Sequence, residues 1–427
     1  MPVTRRDGLW FVAYFAAALL PRLSPLLSGA VFSDDLIHVP AGHLLSYRFL
    51  NYLELGFWQT VFGPAYLLGS APQIIASFYT AALCSAIRAV LRSWAGVPRL
   101  EFSVLALLIP LHPLWNTFIS WHVTGVYALS LFLIVIGYAL LASRPMAGVL
   151  LIALGVSGYQ VHLGLVAPLL FAELSLRKTP LVRRVLQCGA AAALYVIATK
   201  IAALAGLTTW GGRGMGLAAS FHPLTNNLAV IAQPLLSFYV SVEAAWRGWS
   251  AIFAILALIA AIHRPRRWAP APLVLPVAAA AVVLATNAPD SGPRMAAAIW
   301  IATLLAAIHS RAATIALVVF TLLALPVTLT DAENRTRGWR ADQRILALLP
   351  AGAPVAIVRS SFDDPPLPPE WQSRPIVMQD FQAVTPFSYS NVHTQPEWFF
   401  GRFGHPIVPP APGVVTIDRT TLRVISR

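Results

Sequence analysis

Residues 146–176 read MAGVLLIALGVSGYQVHLGLVAPLLFAELSL, an apolar run that lies between Arg144 and Arg177. A helix that crosses a bilayer needs about 20 residues, so this run is too long for one crossing and too short for two. Both of its flanks are basic, which places them on the same side of a membrane. The letters SGYQ at residues 157–160 interrupt its middle. We therefore predict two short half-helices that meet at a break, where the backbone packs on protein or lines a cavity.

The composition of the whole chain is that of a membrane protein. Of its 427 residues, 57% are hydrophobic and 11% are charged, and the mean hydropathy is +0.69, whereas a soluble domain carries about 25% charged residues. The net charge is +13. The arginines lie between apolar stretches, which is typical of residues that face anionic lipid headgroups and not of a nucleic-acid site. Cys84 and Cys188 lie inside apolar runs, which argues against a disulfide or a cysteine metal site.

Further apolar stretches predict additional membrane spans, some of them short. They cover residues 9–32, 62–90, 102–118, 123–141, 185–207, 250–262, 269–286, 295–308 and 314–329. Basic residues between them predict a cytoplasmic N-terminus. The predicted fold is an all-α polytopic membrane protein of about ten or eleven helices, some short or broken.

The composition changes after residue 329, where charges and prolines replace the apolar runs. We predict a transmembrane catalytic domain over 1–330, with an outer loop over 33–61, and a small soluble α/β periplasmic domain over 331–427. Within the second domain the patterns predict a short helix at 339–349, strands at 354–359 and 375–378, and a hairpin at 414–425.

Two adjacent carboxylates, Asp34 and Asp35, follow the first predicted span. A carboxylate at this position could accept a proton from an attacking hydroxyl, as a general base does, or hold a cation. The alternative is a helix start, with Ser33 as the N-cap and both acids in the first turn. The spacing favours neither interpretation.

The same loop continues with His38, His43, Tyr47 and Arg48. These residues fall at nearly helical spacing and could share a face with Asp35. The planar guanidinium of Arg48 is suited to a phosphate, although contact with a lipid headgroup would explain it equally well. The histidines lack the spacing of metal ligands. The sequence therefore gives no support for a divalent metal.

The remaining polar interruptions fall on the same predicted outer side. His122 ends a loop with two tryptophans, which is typical of sugar stacking and of an interfacial aromatic belt. The others are Tyr159, Gln160 and His162 at the break, Arg213 and His222 in a glycine-rich loop, and Asp290 and Arg294 beside a later span. An ionisable residue near the membrane is by default a functional hypothesis. Asp290 and Arg294 could instead form a simple i,i+4 pair.

Several of these features together resemble the bacterial serotype-converting O-antigen glucosyltransferases and, more broadly, glycosyltransferases of the GT-C fold. The resemblance rests on the Asp34-Asp35 pair after the first span, Tyr159-Gln160 at a broken helix and Pro293-Arg294 on the outer side. The sequence departs from the family at Leu36-Ile37-His38, where an aromatic and a basic residue are typical. It departs again at Tyr47-Arg48, where Gly-Arg is typical.

The resemblance implies transfer of a hexose, such as glucose, from a polyprenyl-phosphate carrier to a hydroxyl of a glycan or lipid-linked acceptor at the periplasmic face. It implies that Asp34 or Asp35 takes the acceptor proton and that Arg48, Arg213 or Arg294 holds the leaving phosphate, with inversion at the sugar carbon. No nucleotide-binding motif is visible, which agrees with a lipid-phosphate donor. The alternatives are an O-antigen polymerase or ligase, and a lipid-linked-sugar transporter or flippase. A transporter would need charged residues inside its spans, for which Lys200 is the strong candidate.

Overall fold

The computed structural model describes most of the chain. The described residues are 4–31, 49–63, 66, 69–113, 115–120, 125–177, 182–205, 293–358, 376–379, 382–384, 390–394, 396–419 and 422–426. The structure is mostly helical with a small sheet. Within these ranges, four helical segments are long and apolar enough to cross a bilayer: Arg5–Ser28, Ala71–Ala95, Val182–Ala202 and Arg311–Ala347.

The first half of the bundle contains two interruptions that the apolar pattern does not reveal. Its helices are α1 (Arg5–Leu19), α2 (Leu23–Ser28), α3 (Phe49–Phe62), α4 (Ala71–Ala95), α5 (Leu100–Leu111), α6 (Trp115–Ser120) and α7 (Val126–Leu140). A 3-10 turn containing Pro21 separates α1 from α2. The predicted span 102–118 breaks at His112, whose backbone is extended (φ −71°, ψ 139°) because Pro113 follows it.

The second half begins with the predicted break. Its helices are α8 (Pro145–Val156), α9 (Val166–Arg177), α10 (Val182–Leu204), α11 (Pro293–Ala306) and α12 (Arg311–Ala347). Between α8 and α9 the chain leaves the helix at Ser157 and forms a 3-10 turn over Gln160–Leu165. The prediction of two short half-helices that meet near residues 157–160 is therefore confirmed.

Glycines allow α7 and α8 to pack with their backbones close together. A Cβ atom on Gly148 would lie 2.7 Å from the Gly137 carbonyl oxygen, and one on Gly155 would lie 2.8 Å from the Ser130 carbonyl oxygen. Small residues at a helix contact are typical of membrane bundles, where close packing replaces the hydrophobic effect as the driving force. This contact holds the first half-helix, and hence the break, against α7.

Charged residues define one end of the bundle, which we name the basic end. There the Asp7 Oδ1 atom accepts hydrogen bonds from Arg88 Nη1 at 2.6 Å and Arg92 Nη1 at 2.7 Å. Arg311 Nε lies 3.0 Å from Glu101 Oε1 at the same end. The first two contacts join the start of α1 to the final turns of α4, and the third joins the starts of α5 and α12. The break between α8 and α9 lies toward the opposite end, about 18 Å along α8 from its start, since a helix rises 1.5 Å per residue.

The last long apolar helix continues into the C-terminal part of the chain. A span at 314–329 and a separate helix at 339–349 were predicted, but α12 is continuous over 37 residues and passes through the predicted domain boundary at 330. Its length is about 55 Å, whereas the hydrocarbon core of a bilayer is about 30 Å thick. A polar composition marks where a helix leaves an apolar environment, and does not by itself end the helix.

A small mixed sheet packs against the far end of α12. The strands are β1 (Val355–Val358), β2 (Ile376–Gln379), β3 (Gln382–Val384), β4 (Val415–Asp418) and β5 (Arg423–Ser426), with the helices α13 (Asn391–Thr394) and α14 (Pro396–Arg402) before β4. The mixed sheet has the order β1-β4-β5, with β1 parallel to β4 and β4 antiparallel to β5, whereas β2 and β3 form a separate antiparallel two-stranded sheet. The predicted strands at 354–359 and 375–378 and the hairpin at 414–425 are confirmed.

One aspartate fastens this C-terminal unit to α12. The Asp342 carboxylate accepts hydrogen bonds from Ser390 Oγ at 2.6 Å, from the Asn391 backbone N–H at 2.7 Å and from the Asn391 side-chain amide at 2.9 Å. Beside it, Trp339, Phe399 and other apolar residues form a separate small core. The C-terminal unit is therefore held by both hydrophobic packing and a buried polar contact.

Candidate functional site at the helix break

The break is lined on its inner side by an aromatic cluster. The Tyr159 ring stacks on Tyr127 of α7, with centroids 4.8 Å apart and planes at 20°. The His162 ring meets both of them edge-on, at 5.1 Å from Tyr159 and 5.8 Å from Tyr127. Phe118 of α6 closes the cluster. Tyr159 and His162 are therefore buried and line the inner side of the break, and their predicted role in substrate binding stays a prediction.

A short hydrogen-bond chain fixes the orientation of the His162 ring. The Ser130 hydroxyl donates to the Gly155 carbonyl oxygen at 2.6 Å, and its oxygen lies 2.8 Å from His162 Nδ1. A hydroxyl has one hydrogen to donate. Because Ser130 uses it on Gly155, His162 Nδ1 must carry the hydrogen and donate to Ser130. The chain thus links α7, the end of α8 and the turn that follows the break.

Gln160 faces away from this cluster. Its side-chain amide donates to the Tyr195 hydroxyl of α10 at 2.7 Å, and the residue is partly exposed. Of the three predicted residues at the break that the structure describes, Gln160 is therefore the one with surface available for a ligand.

The segment that carries the two predicted acids, residues 32–48, lies outside the described residues, but its flanks do not. On one side, the Val31 carbonyl oxygen accepts a hydrogen bond from Asn391 of the C-terminal unit at 2.9 Å. On the other, the Leu50 backbone N–H donates to Ser157 Oγ, at the break, at 3.2 Å. The Leu50 side chain also reaches Gly158, where a Cβ atom would lie 3.0 Å from it. The two flanks are therefore held by the C-terminal unit and by the break.

Most of the predicted site residues lie outside the described part of the chain. These are Asp34, Asp35, His38, His43, Tyr47, Arg48, His122, Arg213, His222 and Asp290. Arg294 lies in the first turn of α11, a helix that packs against the turn after the break. Among the described residues, no group of three or more His, Cys, Asp or Glu side chains could hold a metal ion.

A buried charged cluster was not predicted. It consists of Arg22 at the end of α1 and Asp331 and Arg335 on α12, all at most 2% exposed. Arg335 Nε lies 2.9 Å from Asp331 Oδ2, which also accepts a hydrogen bond from Asn116 at 2.7 Å. Arg22 donates to the Ala18 carbonyl oxygen at 3.0 Å. Two arginines and one aspartate leave one positive charge in excess. Arg22 could have been found from the sequence, because it lies inside the predicted span 9–32.

Glu54 on α3 is a second residue that was not predicted. Its carboxylate accepts a hydrogen bond from the Tyr79 hydroxyl of α4 at 3.3 Å, and the Trp58 indole donates to the same hydroxyl oxygen at 2.7 Å. Burial raises the pKa of Glu54 to about 7. Residues four apart share a helix face, so Glu54 lies on the face of α3 that also presents Leu50 to the break. Alone among the acids of the predicted outer loop, it lies within the described residues.

The chain matches no protein-family profile, no curated protein and no solved structure. Its class is therefore defined by its own features, a mostly helical chain with four helical segments suited to a bilayer among the described residues.

Proposed function

We propose that the protein is an integral membrane glycosyltransferase of the bacterial inner membrane. In this proposal the basic end and the N-terminus face the cytoplasm, as expected from the preference of arginine for that side, and the C-terminal unit lies in the periplasm. Apolar side chains that are largely exposed on the outer faces of the helices support a lipid environment. They include Leu9, Val12, Ile74, Phe78, Ile197, Ile201, Ile315 and Leu322.

The observation that carries the proposal is the hydrogen bond between Leu50 and Ser157. It connects the end of the acidic segment to the break, two features that are far apart in the sequence and that the resemblance treats as one site. Asp34 and Asp35 follow Val31 by three and four residues, and Arg48 precedes Leu50 by two. The first turn of α11, which carries Arg294, lies at the same end of the bundle as the break.

The proposed reaction is a single displacement. The acceptor hydroxyl oxygen attacks the anomeric carbon of the hexose, the bond from that carbon to the phosphate oxygen breaks, and polyprenyl phosphate leaves. Asp34 or Asp35 receives the hydroxyl proton. One or more of Arg48, Arg213 and Arg294 stabilises the negative charge that develops on the leaving phosphate. Tyr159 and His162 hold the shape of the break, and Gln160 is available to hydrogen-bond a sugar hydroxyl.

The test measures sugar transfer by the full-length protein in lipid nanodiscs. Undecaprenyl-phosphate carrying radiolabelled glucose is the donor, and lipid-linked O-antigen glycan is the acceptor. Because a general base contributes about 10²–10⁴-fold to the rate, D34N or D35N should reduce transfer at least about 100-fold. The matched control is E397Q, which removes an exposed carboxylate on α14. Full activity in both aspartate variants would contradict the proposal.

The buried cluster of Arg22, Asp331 and Arg335 favours a second candidate, a lipid-linked-sugar transporter. Arg22 lies inside the predicted span 9–32, where charged residues often mark a substrate pathway, and Asp331 and Arg335 follow the predicted span 314–329 directly. Lys200, the residue on which the sequence argument for transport rested, is exposed on α10. A transporter would move the lipid-linked sugar across a vesicle membrane without changing its mass. A polymerase or ligase would instead produce longer or newly joined glycans, so the mass of the product separates all three activities.

A further inference from the structure

A groove opens at the basic end, far from the break. It has a volume of about 800 Å³ and lies between the first turns of α5 and α12. Its rim carries Arg99, Glu101 and Arg311, and its walls include Val104, Ile315 and Val319.

The groove changes character along its length. Its charged residues lie at the starts of the two helices, beside the apolar Pro98, Leu100 and Ile308, and only uncharged residues line it one to two turns farther along. From Arg311 to Val319 the helix advances by about 12 Å. In a bilayer, a groove that begins at the ends of two spans and continues along them passes from the headgroup layer into the hydrocarbon. An occupant must therefore be polar at one end and apolar at the other.

The rim favours a negatively charged headgroup. Arg311 pairs with Glu101, yet its side chain is 88% exposed, so most of its guanidinium faces outward. The Arg99 guanidinium lies 5.8 Å from the centre of the Phe102 ring, which steadies it beside the rim. Two arginines against one glutamate leave a net positive charge. Guanidinium groups bind phosphate oxygens in pairs, which suits a phosphodiester headgroup.

We propose that this groove binds one anionic phospholipid, with its phosphate between Arg99 and Arg311 and an acyl chain along Ile315 and Val319. The site rests on the basic end lying in the headgroup layer and is independent of glycosyl transfer. Its occupant belongs to the cytoplasmic leaflet, whereas the proposed sugar donor is used at the other face.

The test counts bound lipids by native mass spectrometry of the full-length protein. The protein is purified from nanodiscs that contain phosphatidylglycerol and phosphatidylethanolamine, and phosphatidylglycerol is the probe. The wild-type protein should retain one phosphatidylglycerol molecule more than the R99Q/R311Q double variant. The control is R144Q, which removes an exposed arginine between α7 and α8, outside the groove, and should behave as the wild type. Equal retention in all three proteins would overturn the proposal.

A second variant tests the apolar half of the groove. Ile315 is 63% exposed on its wall, and I315W would fill the space while leaving both arginines in place. It should remove the same lipid molecule. Two outcomes would assign the groove to another occupant: equal retention of phosphatidylethanolamine and phosphatidylglycerol, or a wild-type mass of two protein copies that falls to one copy in either variant. Neither measurement depends on transferase activity, so failure here leaves the proposed function untouched.

Discussion

Tyr159, Gln160 and His162 at the break show which properties of a residue the sequence predicts and which it does not. The sequence predicts that Tyr159, Gln160 and His162 lie together at an interrupted helix, and the structure confirms their position. It does not predict that Tyr159 and His162 are buried, because their partners Tyr127 and Ser130 belong to α7, some thirty residues earlier. A polar residue in an apolar run can serve a ligand or satisfy a neighbouring helix. Only the three-dimensional contacts distinguish the two.

The Ser130 hydroxyl should be needed for stability. S130A would remove the acceptor of the His162 Nδ1–H and one of the donors to the Gly155 carbonyl oxygen, which also accepts from the Gly158 backbone N–H. A buried polar group that loses its partner costs about 1–3 kcal/mol, so the melting temperature of the detergent-solubilised protein should fall. S143A, an exposed serine before α8, is the control. Identical melting temperatures for S130A and the wild type would show that this hydrogen-bond chain contributes nothing to stability.

Glu54 should make stability depend on pH. Its pKa is raised from 4.5 to about 7 by burial, so the folded protein binds this proton more tightly than the unfolded chain does. Its contribution is therefore complete below about pH 4.5 and is lost as the pH rises through about 7. E54Q keeps the neutral form at every pH. Between pH 5 and pH 8 the melting temperature of the wild type should fall more than that of E54Q.

The control for this comparison is E397Q, which changes an exposed glutamate of α14 and should follow the wild type across the same range. If the melting temperatures of the wild type and E54Q changed in parallel with pH, Glu54 would not take up a proton on folding.

At the scale of helices and strands, hydrophobic pattern predicts where an element exists better than where it ends. The break between α8 and α9 was predicted because two rules conflict there, the length of a span and the basic residues on both flanks. The end of the predicted span 102–118 was wrong because apolar residues continue past Pro113, whereas the helix ends at Leu111 and His112 begins the loop with two tryptophans that was predicted to reach His122. The sequence did not predict the continuity of α12, because the change from apolar to charged residues after residue 329 does not show whether the helix ends there or continues.

The glycine contact between α7 and α8 leads to a prediction that the same Gly→Ala substitution changes stability in opposite directions at two helical positions. Alanine normally stabilises a helix by about 0.5–1 kcal/mol over glycine. G189A on α10 meets nothing within 4 Å and should gain stability, whereas a Cβ atom at Gly148 would lie 2.7 Å from a carbonyl oxygen. G148A should therefore lose about 1–3 kcal/mol through overpacking. Thermal melting and size-exclusion profiles measure both, and equal gains would mean that the contact is loose.

At the scale of the whole molecule, composition predicted a membrane part and a small C-terminal α/β part, and the strands of the latter are confirmed. The attachment between them was not predictable. It depends on Asp342, which lies in a polar helical stretch like any surface acid, and on Ser390 and Asn391, nearly fifty residues away. The acids proposed for catalysis remain a prediction, because Asp34 and Asp35 lie outside the described residues.

Loss of the Asp342 carboxylate should release the C-terminal unit while the bundle stays folded. In D342N an NH2 group replaces one of the two carboxylate oxygens and cannot accept the backbone N–H bonds that these oxygens now receive, from Asn391 on Oδ2 and from Val392 on Oδ1. A buried donor that loses its acceptor costs about 1–3 kcal/mol. Limited proteolysis of the full-length protein should then cleave after α12 at least about tenfold faster than in the wild type. Unchanged cleavage would mean that the hydrophobic core alone holds the unit in place.

Because α12 is continuous, it connects distant parts of the molecule. This one helix forms a wall of the groove at the basic end, carries Asp331 and Arg335 in its middle and holds the C-terminal unit at its far end. Over a length of about 55 Å, a tilt of about 5° displaces the far end by about 5 Å. Pro326 removes one hydrogen bond inside the helix, so bending is concentrated there. The position of the C-terminal unit therefore depends on the tilt of α12 and on its bend at Pro326.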